Sequence, residues 1–127
     1  MTGMLASVSS PEEAKIVLEQ KVDIIDLKNP KNGALGALDL DIIDSIVGLV
    51  KKNIPISATI GDIKPNDIKL EEYIFNISRM GVNFVKVGLF EETIPDRFVE
   101  IIDKCGKKNI NIIIVIFAEN ISDISLL

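Results

Sequence analysis

Val22-Asp23-Ile24-Ile25-Asp26-Leu27-Lys28-Asn29-Pro30-Lys31 is the stretch that decides the fold. A nearly all-apolar run ends in a carboxylate and a lysine two residues apart. Side chains alternate along a strand, so Asp26 and Lys28 point to one face. A parallel strand buried on both faces rejects such groups. A strand whose C-terminal tip opens into a site uses them. Phe84-Val85-Lys86-Val87-Gly88 places a second lysine in the same way. Two lysines at two strand tips point to carbonyl chemistry, one amine forming an imine and the other moving protons.

Outward from these two runs the chain alternates between strand and helix patterns. Strands are expected at 4–8, 22–27, 56–60, 83–87 and 110–117. Helices are expected at 11–20, 40–52, 67–80 and 95–104, and 120–127 reads as the opening of another. Ser10 is the N-cap of the first helix, with Pro11 at its first position and Glu12 and Glu13 as helix-start charges. Asp67 is expected to cap the third helix and Gly81 to stop it; Gly106 should follow the fourth. Ser122 and Asp123 are the expected caps of the last. Helical spacing assigns Ile42, Ile46, Ile74, Ile77, Phe98 and Ile102 to the core.

Repeated strand–helix units give an α/β fold with a parallel sheet and right-handed crossovers. By parity Ile24, Asp26 and Lys28 share a face, as do Ser57, Thr59 and Gly61, and Phe84, Lys86 and Gly88. Asp26, Lys28, Thr59 and Lys86 then meet on one side of the sheet near its C-terminal edge. Ligands bind at that edge in open α/β sheets and in barrels. An open doubly wound sheet and a partial (β/α)₈ barrel both fit, and inward polar residues at strand tips favour the barrel. A complete barrel takes about 250 residues. The expectation for 1–127 is therefore an incomplete barrel domain with its later strands missing. Its sheet edges and inner face would be exposed, favouring self-association or a complementary barrel fragment.

Composition narrows the function classes. The chain has 127 residues and a formal net charge of −5, enough for one modest core and the wrong sign for a nucleic-acid partner. No apolar run reaches the roughly 18 residues of a membrane span, and residues 1–10 lack the charged start of a signal peptide, so the expectation is cytoplasmic. Histidine is absent, which removes Ser-His and Cys-His triads and the commonest metal ligand. Acid–base work falls to Lys, Asp, Glu or Tyr73, with no cofactor or metal expected. The single cysteine, Cys105, reads as an apolar filler near a helix end, with a reactive thiol the alternative.

Three blocks carry a resemblance. They are Asp26-Leu27-Lys28-Asn29-Pro30-Lys31-Asn32-Gly33-Ala34-Leu35-Gly36-Ala37, Ser57-Ala58-Thr59-Ile60-Gly61-Asp62 and Val85-Lys86-Val87-Gly88-Leu89. In order and spacing they resemble the (5-formylfuran-3-yl)methyl phosphate synthase family, over its first half to three-fifths. That family is similar to class I aldolases. The resemblance implies condensation of two glyceraldehyde 3-phosphate molecules into a phosphorylated furan aldehyde for methanofuran synthesis in methanogens, with loss of phosphate and water. It implies Lys28 as the imine-forming residue and Lys86 as the proton acceptor. One departure lies at the end of the fifth strand. Phe117-Ala118-Glu119 stands where the family has a Tyr-Ala-Asp-like segment, so a phenol is lost and a carboxylate lengthened.

Around the lysines other roles stay open. Asp26 either neutralises Lys28 or orients its amine. Lys31 is a loop lysine that could reach a substrate phosphate. Gly33 and Gly36 either permit positive φ or let backbone amides approach a phosphate. Thr59 and Asp62 are expected to line the pocket. Two rivals remain. One is an orotidine-decarboxylase-like barrel, whose Asp-x-Lys-x-x-Asp pattern is broken by Lys31. The other is a half-barrel that catalyses nothing and serves as an assembly partner.

Overall fold

The computed structural model describes residues 1–90 and 93–120. Its strands are β1 (Leu5–Val8), β2 (Ile24–Leu27), β3 (Ile56–Thr59), β4 (Phe84–Leu89) and β5 (Ile112–Ile116). Its α-helices are α1 (Pro11–Glu19), α2 (Leu40–Val50), α3 (Leu70–Ser78) and α4 (Asp96–Lys107). The expected helix opening at 121–127 lies outside the described residues.

All pairings are parallel, and the sheet order is β1-β2-β3-β4-β5. Strands that follow one another in space as in sequence wind in one direction, which leaves the helices on one face. A doubly wound sheet reverses its order and carries helices on both. The burial pattern agrees with winding in one direction. Ile25, Leu27, Ala58, Val85 and Val87 share one core with Ile43, Ile46, Ile74, Phe98 and Ile101 of the helices. On the opposite face Leu5 is exposed, and Ile24 and Phe84 are half-buried. The described residues thus form five parallel strands with four intervening α-helices, in the manner of a partial (β/α)₈ barrel.

Local chemistry sets the element ends. The Ser10 side chain accepts from the Glu13 amide at 3.2 Å and Pro11 opens α1, as their residue types require. Lys51 and Lys52 adopt left-handed φ of 52° and 63°, which ends α2 at Val50, two residues before the expected end. Asp67 does not cap α3. Its carboxylate accepts from the Lys69 amide at 2.8 Å in the preceding turn, and the helix begins at Leu70. Gly106 does not end α4 but lies inside it, because the helix runs on to Lys107 while burying Cys105. The core assignment holds for Ile46, Ile74, Ile77 and Phe98, whereas Ile42 and Ile102 are half-buried beside Ile43 and Ile101.

Candidate active site

The inner face of the sheet carries one polar cluster. Ser7 pairs with Asp26 in register, and Asp26 with Ser57. Lys86 stands opposite Thr59, one inward-facing row further up β4. Asp26 is only 1 % exposed, and a carboxylate so deep needs partners for both oxygens. Ser57 Oγ donates to Oδ1 at 2.7 Å. Ser7 Oγ donates to Oδ2 at 3.1 Å, and Lys86 Nζ reaches the same oxygen at 3.2 Å. The Lys86 side chain is 16 % exposed, so the ion pair is largely shielded from water.

Lys28 follows β2 directly and occupies a different environment. Its amide donates to the Val8 carbonyl at 3.1 Å, which continues the parallel ladder by one step. Its side chain lines a cleft of about 160 Å³ with Ser7, Val8, Ser9, Glu13 and Pro30. Glu13 is more than a helix-start charge here, because its carboxylate accepts from Ser9 Oγ at 2.7 Å in the cleft wall. Among the described residues no hydrogen bond or ion pair joins Asp26 to Lys28. Both readings of Asp26 placed it beside Lys28. The register gives it to Lys86 instead, since two serines and that lysine use its oxygens.

The loop between β2 and α2 is tied down from β3. Thr59 Oγ1 donates to the Gly36 carbonyl at 2.9 Å, and the Asn29 amide reaches the same carbonyl at 2.8 Å. The Gly36 amide bonds to the Gly33 carbonyl at 3.2 Å, so it is not free for a phosphate. A Cβ at Gly36 would run into the Asn29 carbonyl oxygen. Asp62 Oδ1 accepts from the Leu35 amide at 2.9 Å, and its second oxygen fills the space where Gly33 lacks a side chain. Gly33 itself has φ of 113°. Thr59 and Asp62 therefore spend their polar atoms on the loop rather than on open pocket wall. Lys31 stands exposed in the short turn Pro30–Asn32.

In the sequence Ser57 is only one residue of the polar face of β3, and Ser7 carries no mark of a role. The signal was the small polar residue opposite Asp26 on each neighbouring strand, which only register reveals. Above Lys86 on the same face, Leu35 and Phe90 close over Gly88, where a side chain would clash with both. Phe90 stacks on Phe117 with ring centres 5.0 Å apart. Cys105 lies on the helix side of the sheet. Burial pushes its thiol above the ordinary range, and Glu71 adds to this against Lys104 and Lys108, so it is a packed filler. Among the described residues no group of three His, Cys, Asp or Glu side chains could hold a metal ion. No helix there is long and apolar enough to cross a membrane.

Helices on one face and ionisable groups toward the strand tips on the other define a β/α-barrel type of enzyme fold. Solved structures of that type are similar. Dihydrodipicolinate synthase from Agrobacterium tumefaciens superposes with a TM-score of 0.69 at 9% identity, covering 98% of this chain and 49% of its own. A 2,3-dimethylmalate lyase gives 0.64 at 15%, covering 91% and 48%. Residues 4–126 match the 4-HFC-P synthase family, and the chain belongs to it. The (5-formylfuran-3-yl)methyl phosphate synthase of Methanosarcina barkeri is 40% identical over 103 residues, 80% of this chain and 43% of the relative. That of Methanosarcina mazei is 34% identical over 124 residues, 94% and 52%. That of Methanocaldococcus jannaschii is 42% identical over 89 residues, 68% and 37%. The chain spans about half the length of these relatives.

Proposed function

We propose that this chain supplies the imine-forming and proton-transferring lysines of a (5-formylfuran-3-yl)methyl phosphate synthase, a carbon–oxygen lyase of methanofuran biosynthesis. Two molecules of glyceraldehyde 3-phosphate become one furan aldehyde phosphate, one inorganic phosphate and two waters. The observation that carries the reading is the separation of the two lysines. Lys86 is held against a buried carboxylate at 3.2 Å, while Lys28 stands at the tip of β2 in an open cleft.

The chemistry needs that separation. The Lys28 amine attacks the carbonyl carbon of the triose phosphate or its ketose isomer, and water leaves as the imine forms. The protonated imine draws electrons from the neighbouring carbon and loosens its hydrogen. Lys86, on the inner face of β4, accepts that proton. Lys31, exposed on the loop held by Thr59 and Asp62, suits a substrate phosphate.

Proton exchange tests the reading at its first chemical step. In heavy water the chain is expected to exchange the hydrogen beside the carbonyl of dihydroxyacetone phosphate faster than buffer does. Lys28→Ala and Lys86→Arg should each remove the exchange, the second because arginine stays protonated. Exchange that survives Lys28→Ala would contradict the proposal.

A further inference from the structure

We infer that Ser57, assisted by Ser7, is a positioning residue that lets Asp26 keep its charge without the Lys86 proton and so frees Lys86 to act as a base. The inference rests on the role proposed for Lys86 and adds how that role is possible.

A lysine paired with a buried carboxylate has a difficulty as a base. When it loses its proton, the carboxylate is left behind as a lone buried charge, which is costly. The cost resists proton loss. Hydrogen bonds that the carboxylate accepts from other donors persist after the lysine is neutral, so they lower the cost in that state most. Ser57 supplies the shortest of these, 2.7 Å to Oδ1, from a position that is 0% exposed. Among the described residues Oδ1 has no other hydrogen-bond partner. Ser7 supplies a second bond of 3.1 Å to Oδ2, the oxygen that Lys86 shares.

The setting leaves few competing explanations. From β1 the facing group is Ser7, from β3 Ser57 and Thr59, and from β5 Ile113 in register with Lys86. None of these titrates in the working range. From β2 the titratable group is Asp26, and Lys28 follows the strand's end in its own cleft. Glu13 of α1 stands across the Lys28 cleft. The Thr59 hydroxyl is already given to the Gly36 carbonyl and does not reach the pair.

Competitive labelling with acetic anhydride, mapped lysine by lysine across pH, reads the availability of the Lys86 amine on the purified chain without requiring turnover. Ser57→Ala is expected to move the Lys86 profile to higher pH, slowing its labelling by about threefold or more at the midpoint pH of the native curve. Ser57→Thr keeps the hydroxyl and should restore the native profile. Asp26→Asn removes the anion and should move it to lower pH. Lys104, paired with Glu71 on the surface, serves as the internal standard and should not move. A Ser57→Ala profile that superposes on the native one, or moves to lower pH, overturns the inference. Should Ser57→Ala fail to fold, Ser7→Ala decides: a smaller shift to higher pH supports the inference and no shift overturns it. The chemistry proposed for Lys28 is read separately by imine formation, so its failure leaves the labelling result standing by itself.

Discussion

Lys86 and Lys28 project from strands separated only by β3, yet the fold treats them oppositely. Lys86 is drawn against a carboxylate that is 1 % exposed, with two serine hydroxyls completing the cluster. Lys28 has no such partner among the described residues and faces a cleft between β1, α1 and its own loop. The difference teaches that a cation one inward-facing row further along, two strands away across β3, serves a buried carboxylate better than one on the same strand. It also separates structural cost from chemical exposure. The buried pair belongs to the fold as much as to the site, whereas the Lys28 side chain takes no part in the cluster that ties the strands together.

Breaking the buried side of this comparison should have the largest effect. Asp26→Ala leaves Lys86 and two hydroxyls without their shared acceptor, and a loss of about 3 kcal/mol or more is expected in urea unfolding. Gly36→Ala forces a methyl into the Asn29 carbonyl and should cost about 1–3 kcal/mol, because the loop must shift. Thr59→Val keeps the shape but leaves the buried Gly36 carbonyl one donor short, with an expected cost of about 1 kcal/mol. Lys28→Ala sharpens the contrast, with a change in stability within about 0.5 kcal/mol in the same unfolding experiment. Lys104→Ala, which breaks a surface pair with Glu71 at 2.7 Å, should cost less than about 1 kcal/mol. A Lys28→Ala variant as unstable as Asp26→Ala would erase the distinction.

The alternation of strands and helices was legible because each element carries its own period. The shared face of Asp26, Thr59 and Lys86 was legible because strand parity is strict, whereas Lys28, past the end of β2, lines a separate cleft with Glu13 of α1. Parity assigns a side but not a height. Whether Asp26 meets Lys28 or Lys86 depends on register across β2, β3 and β4, which no local pattern encodes. The same limit hid Ser7 and Ser57, ordinary strand serines until Asp26 lies between them. The sequence allows Gly36 a positive φ or a phosphate contact and Thr59 a place in the pocket wall, although the Thr59 hydroxyl donates to the Gly36 carbonyl inside the protein, 23 residues away in sequence. Gly106 misled for a local reason. A glycine near a helix end suggests a stop, but the burial of Cys105 against the core carries α4 one turn further. Leu5 on β1 and Ile114 and Ile116 on β5 are exposed, because among the described residues each of these edge strands pairs on one side only.

Borohydride reduction of the chain incubated with glyceraldehyde 3-phosphate, followed by peptide mass mapping, tests the division between the two lysines most directly. One dominant reduced adduct is expected on Lys28, retained in Lys86→Arg and lost in Lys28→Ala. An adduct concentrated on Lys86, or spread evenly over the surface lysines, would contradict that division.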